Sequence, residues 1–424
     1  MNQPPISLSQ ASCQDDYDPN SMSVEAARTL IHRFLKPVEG YEQVSIRQGL
    51  NRILAKEIIS PLDVPAHVNS AMDGYAVRHA DLDAKTPASL HVIGSSFAGH
   101  PYSAAVSAGE CVRIMTGGVM PKETDTVVIQ EKVRLEGSHI TVGTAPKKGD
   151  NVREKGEDLR QGQVVLASGH MIRPADLGLL ASLGINEIRV FRRLRVAFFS
   201  TGDELRSIGT PLEEGQIYDS NRYTLYGMLK RLDVDILDMG VVEDAPKALE
   251  EALVEASTCA DVILTSGGVS VGEADFIRDL LQKLGEVVFW KIAMKPGRPL
   301  AYGKIGPAHF FGLPGNPVSV MVTFYQFVQQ AIKVLMGQTN LAAPPTFRLP
   351  CLSPLKKAPG RTEFQRGVLV QDDQGNWAVQ ATGAQGSGIL RSMSDANCFI
   401  ILPEAQGHVA AGDMVEIQLL EGIV

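Results

Sequence analysis

The spacing of apolar positions changes along the chain, and the changes mark where one kind of structure gives way to another. From Ser23, the residues Val24, Ala27, Leu30, Ile31 and Phe34 recur near every 3.6 positions, which predicts an amphipathic helix with Ser23 as its N-cap. A second helix is expected to end near Ile59, before Pro61. Between 61 and 161 the period breaks into short β-branched runs such as Cys111–Met115 and Thr126–Ile129, separated by Gly and Pro. This stretch reads as a small, mostly β domain. Residues 162–193 contain Val164–Leu166 and Ala175–Leu183 and are grouped with 22–60 as a helical, elongated domain that the β domain interrupts. Residues 1–21 form a polar tail.

From 194 to 342 the pattern alternates between strand and helix. Leu194–Ser200 is a continuous apolar run, the mark of a strand buried on both faces. Asn221–Leu232 is helical, Val234–Met239 a strand, and Pro246–Ser257 a helix with Leu249, Ala252, Leu253 and Ala256 on one face. Asp261–Thr265, a helix near 274–284, the strand Val287–Ile292 and a long helix over Pro317–Leu335 follow. Such alternation predicts a doubly wound parallel sheet. Past the proline-rich linker Ala342–Pro350, residues 351–424 show short strands and turn signals without helical periodicity, and a C-terminal β-barrel domain over 343–424 is expected. The fold class is therefore α/β multidomain.

Composition narrows the function. The 424 residues carry 40 Lys and Arg against 48 Asp and Glu, a formal charge of −8, with no basic tract. That excludes dedicated nucleic-acid binding and leaves small molecules or proteins as partners. The five cysteines lie far apart with no C-x-x-C pair, and Asp15, Asp16 and Asp18 replace the basic start of a signal peptide. A reducing cytoplasm is expected. Ile305–Ile332 holds no Asp, Glu, Lys or Arg but is interrupted by Pro307, Gly312, Pro314, Gly315, Asn316 and Pro317, so no membrane span is predicted.

Ligands of an open parallel sheet bind beyond the carboxyl ends of its strands. Here those positions hold Ser200–Glu204, Gly240–Asp244, Thr265–Asp275, Lys291 with Lys295–Pro299, and Gly312–Ser319. A single Gly-Gly turn or Gly-Asn-Pro is ordinarily a tight turn, and a single Glu204 or Asp244 a solvated loop carboxylate. Five successive loops pairing Gly with Ser, Asp or Lys make a site. Small residues let backbone amides approach an anion, and carboxylates beside lysines point to a magnesium-bridged phosphate. The nine histidines show no zinc or iron spacing. Asn69–Ala76, around Asp73, and Arg113–Gly118 are further candidates; on local grounds a capped structural Asp73 and a functional one are equally open.

Together these segments resemble the molybdopterin molybdenumtransferase family, which includes the C-terminal domain of gephyrin. The resemblance spans about residues 22–424. It rests on Pro61–Pro65, Asn69–Ala76, Arg113–Gly117, Gly156–Asp158, Ser200–Glu204, Ile217–Asn221, Thr265–Asp275, Lys295–Pro299 and Leu313–Ser319. It implies insertion of molybdate into adenylylated molybdopterin with release of AMP, giving molybdenum cofactor. Carried over, it places Glu204, Asp244 and Asp275 on Mg²⁺ and the ligand phosphates, and Lys291 and Lys295 on the nucleotide or molybdate. Gly267, Gly268 and Ser270 would contact the ligand, with Pro314 and Pro317 in the same substrate-binding set. Asp73 and Thr116 would enter the cleft from the small β domain; Asp158 belongs to the family set without a specific role. Arg366 and Ser387 would help to bind molybdate, and Arg298 stands where some relatives have lysine.

The resemblance further implies an elongated homodimer whose cleft lies between the α/β domain of one subunit and the β domain of the other. A separate molybdopterin adenylyltransferase protein would supply the substrate, and molybdoenzymes or cofactor carriers would receive the product. Two other functions compete. A nucleotide pyrophosphatase of the competence-damage type would use 194–336 and leave Asn69–Ala76 and Arg113–Gly117 unexplained. A gephyrin-like scaffold would carry a long disordered linker, which is not seen here.

Overall fold

The computed structural model describes residues 21–83, 85–268 and 275–420, with the side chains of 275–278, 288 and 289 outside the description. Three six-stranded sheets organise it. The first helix spans Val24–Phe34, and Ser23 caps it by accepting from the Ala26 N–H, as its position predicts. Its apolar face, Val24, Ala27 and Ile31, packs into the main core beside Leu194, Trp290 and Phe324.

The second helix expected before Pro61 is not present. Tyr41–Ser45 is instead a strand, antiparallel to Glu187–Phe191, followed by one 3₁₀ turn at Ile46–Gly49. Ile58–Ile59 pairs with Val164–Leu166. The apolar residues in 41–59 are spaced like those of a helix, but pairing with a distant strand outweighs local propensity. Leu54, Leu166, Ile172, Leu180, Ile188 and Val190 make a small core here, with the helix Pro174–Ser182 on one side. "Helical" thus describes only part of this region.

The small sheet runs in the order Thr126–Ile129, Gly74–Val77, Glu110–Ile114, Ala88–Ser96, His139–Val142, Val133–Glu136. Tyr75, Val77, Leu90, Cys111, Val128 and Ile140 fill its own core.

The α/β sheet runs Asp235–Val242, Arg195–Thr201, Val262–Ser266, Ala308–Leu313, Pro299–Ile305, Gly285–Lys291. The first four strands are parallel. Pro299–Ile305 is antiparallel to both neighbours, which corrects the expected parallel sheet. The cause is the short link from Ile305 to Ala308: two residues turn a hairpin, whereas a parallel return needs a crossover of a dozen or more. Helix Pro246–Cys259 buries Leu249, Ala252, Leu253 and Ala256, the face its sequence predicts. Pro317–Leu335 is helical throughout but changes to a π-helical turn at Phe324–Val328.

The third sheet joins Thr346–Pro350, Met414–Leu419, Cys398–Leu402 and Thr362–Gln371, with Trp377–Ala381 alongside the last. Thr346–Pro350 therefore belongs to the sheet rather than to a linker. The sheet curls until Cys351 bridges to Val379, and a short helix, Arg391–Asp395, interrupts the otherwise β segment. Met294–Lys295 adds a parallel strand from the α/β region. Phe364, Met393 and Phe399 share the main core with Trp290 and Phe311, so these two sheets pack as one body.

Candidate functional site

At the carboxyl end of Arg195–Thr201 the chain turns through Gly202, where a Cβ would lie 2.6 Å from the Glu204 carboxylate. Thr201 Oγ1 donates to Asp244 Oδ1 at 3.5 Å. Burial, and then the nearby charge of Asp203 with a further push from Glu204, holds the Asp244 carboxyl above its ordinary range, with the Thr201 bond acting the other way. Three carboxylates are thus gathered at two adjacent strand ends.

The next strand, Val262–Ser266, brings Gly267 against them. Its φ is +93°, and a Cβ would sit 2.4 Å from the Thr201 carbonyl oxygen, so only glycine lets these two strand ends meet so closely. Gly268 also has positive φ. Asn221 Nδ2 spans to Ser266 Oγ at 2.8 Å and to the Gly315 carbonyl at 2.6 Å, tying this loop to the one that holds Pro314 and Pro317. Asp219 is 1% exposed; its Oδ1 accepts from Ser200 Oγ at 3.1 Å and from the Arg222 N–H at 3.2 Å, which caps the helix Ser220–Arg231. Pro314 is buried and Pro317 opens the following helix.

A second group lies beside the first. Lys295, Pro296, Lys356, Glu363, Arg366 and Gln385 line a cleft of about 530 Å³ between the α/β and C-terminal sheets. Arg366 is 1% exposed, and burial lowers its pKa to about 10. Its Nε donates to Ser392 Oγ and one Nη to the Gly386 carbonyl, both at 3.0 Å. The backbone carbonyl of the adjoining Ser387 accepts the Val318 N–H at 3.0 Å, so the cationic cleft and the strand-end loops are fastened together at one helix start. Lys291 ends the strand Gly285–Lys291 opposite Pro299, and the Arg298 carbonyl accepts from the Ile292 N–H at 2.8 Å.

Asp73 and Thr116 meet each other: the Thr116 N–H and Oγ1 both donate to Asp73 Oδ1 at 2.7 Å. These two bonds, with a smaller contribution from Arg113, hold the Asp73 carboxyl below its usual range. Asp158 is exposed on the same small domain. Among the described residues no hydrogen bond or ion pair joins residues 61–161 to residues 194–420 of the same chain. One chain therefore brings together Thr201, Glu204, Asp244, Gly267, Gly268, Pro314 and Pro317, with Lys295, Arg366 and Ser387 alongside, and leaves Asp73, Thr116 and Asp158 apart. Ser270 and the side chain of Asp275 lie outside the described residues.

Sequence reasoning assigned no role to Asp203, Asp219, Asn221 or Glu363. The signal for Asp219 was its place two residues before the predicted helix start at Asn221; the helix begins one residue earlier, at Ser220, which makes Asp219 its cap. Glu363 had none, because its partner Lys295 is 68 positions away.

Family models match nearly the whole chain in the order the geometry requires. They describe a MoeA N-terminal region over residues 22–184, a probable molybdopterin binding domain over 197–334, and a MoeA C-terminal region over 348–420. The chain belongs to the molybdopterin molybdenumtransferase, or MoeA, family. A molybdopterin molybdenumtransferase of Haemophilus influenzae is 48% identical over 378 residues, covering 89% of this chain and 93% of that protein. Gephyrin of Dictyostelium discoideum is 33% identical over 429 residues, 89% of this chain and 59% of its own length. Among solved structures, a molybdopterin biosynthesis moeA protein from Pyrococcus horikoshii aligns with a TM-score of 0.81 at 29% identity, covering 94% of this chain and all of that one. The family covers all three sheets, so the small domain with Asp73 is part of the common architecture rather than an addition. No helix among the described residues is long and apolar enough to cross a membrane.

Proposed function

We propose that this chain is a molybdenum-transferring enzyme of molybdenum cofactor biosynthesis, inserting molybdate into adenylylated molybdopterin with release of AMP. The observation that carries the reading is the junction at Ser387 and Val318, which sets a cationic cleft beside a glycine-lined acidic strand-end site. Such a pair suits two substrates: an oxyanion on the cations, and a phosphate-bearing pterin on the strand ends.

Mg²⁺ fits the strand ends. Among the described residues no three His, Cys, Asp or Glu side chains form a metal-ion site by themselves. Burial raises the Asp244 carboxyl first, and the charges of Asp203 and Glu204 add to it; a cation would relieve that second, repulsive part. Magnesium is ordinarily held by one or two carboxylates, with substrate phosphates and water completing its shell. Asp244 and Glu204 would hold it, with Asp275 at the start of the helix Asp275–Leu284, and the ion would supply Lewis-acid stabilisation of the charge that develops as AMP leaves. The Gly267 and Gly268 backbone receives the phosphates. Lys291 and Lys295 offset negative charge, and Arg366, on the strand paired with that of Lys295, would present its remaining N–H groups to the oxyanion.

The separated Asp73–Thr116 pair supports a homodimer in which a second subunit's small domain completes the cleft. The substrate's adenylyl group implies a separate adenylyltransferase as supplier, and molybdoenzymes or cofactor carriers as recipients, all in the cytoplasm. The test combines purified protein, adenylylated molybdopterin, molybdate and Mg²⁺, and quantifies AMP and active cofactor together. Coupled appearance of both, abolished by EDTA, supports the reading. AMP release that ignores molybdate would point to a hydrolase instead.

A further inference from the structure

The cationic cleft contains one carboxylate among its described lining residues, and that carboxylate is held against a cation the oxyanion would need. Glu363 is 6% exposed on the strand Thr362–Gln371. Its Oε1 accepts from Lys295 Nζ at 3.4 Å and its Oε2 from Gln365 Nε2 at 3.0 Å. The same Gln365 amide reaches the Lys356 carbonyl at 3.2 Å, and the parallel pairing of Lys295 with Glu363 fixes the two residues side by side. Lys357, behind the wall, donates its Nζ hydrogen bonds to the carbonyls of Ala358, Glu404 and Gln406; it feels the Glu363 charge without bonding to it, which leaves Lys295 as the ammonium that Glu363 holds.

A site built to retain an anion has no use for a buried carboxylate in its wall. Glu363 opposes an anion in two ways: it repels it, and it competes for the Lys295 ammonium. A site that must pass the anion on gains from both, since an oxyanion clasped by unopposed cations leaves slowly. We propose that Glu363 is a positioning and specificity-determining residue that holds Lys295 partly engaged, weakening the cleft's grip on a tetrahedral dianion so that it can be handed to the strand-end site. This rests on the reading that the cleft takes the oxyanion.

The test uses the full chain and equilibrium dialysis with molybdate and with perrhenate, a tetrahedral monoanion. Glu363→Gln keeps the shape and removes the charge. Removing one like charge from a cleft open to solvent should tighten molybdate roughly fivefold, and perrhenate, which carries half the charge, roughly twofold. Turnover at saturating molybdate should fall as release slows. Glu363→Asp, which keeps the charge, should leave both affinities within about twofold. In the Lys295→Ala background the gain from Glu363→Gln should shrink, because one of its two routes has gone. Unchanged or weaker molybdate binding in Glu363→Gln overturns the proposal, and so does an equal shift for both anions, or the same tightening in Glu363→Asp. If the unaltered protein binds neither anion, the oxyanion reading itself fails and the role of Glu363 falls with it.

Discussion

Gly267 is where one added methyl group should cost most. Its φ of +93° is one that L side chains avoid, and a Cβ there would lie 2.4 Å from the Thr201 carbonyl oxygen. That oxygen belongs to the backbone of a strand hydrogen-bonded on both sides, so no side-chain rotation relieves the contact. The left-handed conformation costs an alanine about 1–2 kcal/mol. Forcing a carbon into a packed contact adds about 1–3 kcal/mol. A total near 3 kcal/mol is expected for Gly267→Ala. The strain can be relieved only by moving the 267 loop off Thr201, which breaks the Gly267 N–H bond to Leu313 and disturbs the Thr201–Asp244 contact. Trp290 is 3% exposed in the core of this sheet and one of two tryptophans in the chain, so its fluorescence during a urea titration reports the affected body. Gly209→Ala, in the same α/β segment, is the control: its φ is +90°, but nothing lies within 4 Å of its Cβ. The midpoint should fall clearly further in Gly267→Ala than in Gly209→Ala, which carries only the conformational cost, with transfer activity lost only in the first. Equal midpoints for the two variants would refute the argument from close approach.

Other substitutions should separate structure from chemistry. Arg366→Ala removes a buried guanidinium and the bonds to Ser392 and Gly386, so a loss of about 2–4 kcal/mol and at least a tenfold rise in KM for molybdate are expected. Arg366→Lys restores charge without the planar fork and should recover less than half of the binding energy, read from the same KM. Asp244 has a folded pKa raised above the unfolded 3.8, so the folded state binds more protons between those values and stability falls as pH rises through that window. Asp244→Asn should therefore match the parent in midpoint below about pH 3 and exceed it at neutral pH by about 2 °C in Tm, while losing transfer activity. Mixing Asp73→Asn subunits with Lys295→Ala subunits, each inactive alone, should restore about a quarter of full activity if each cleft draws on two chains. No recovery on mixing would refute a cleft shared between two chains, and full activity of Asp73→Asn alone would place Asp73 outside the site.

Local pattern carried the elements whose burial comes from their own periodicity. Leu249, Ala252, Leu253 and Ala256 fall at spacings of three and four, and that face is buried. The unbroken apolar run through Phe198 and Phe199 is a strand covered on both sides. Pairing across distance was not legible. Tyr41–Ser45 joins a strand almost 150 residues away, and nothing in its own composition outweighs the helix-like spacing that follows. Pro299–Ile305 escaped notice because Pro299 and Gly303 look like strand breakers, although the first sits at a strand end and the second packs against backbone. The site divides in the same way. Loops at strand ends announce themselves by small residues, so Gly267 and Glu204 were visible. The segments of Asp73 and Thr116 were candidates on local grounds, and the resemblance assigned both to the cleft; the Lys295–Glu363 pair forms only when two sheets dock.

The oxyanion is expected to occupy the cleft between Lys295 and Arg366, next to the strand ends. Crystals of the full chain soaked in tungstate, a strong anomalous scatterer of the same shape and charge as molybdate, would locate it directly. An anomalous peak in hydrogen-bond reach of Arg366 and Lys295 is the predicted result. A peak at the Asp244 strand ends, with none in the cleft, would contradict the account.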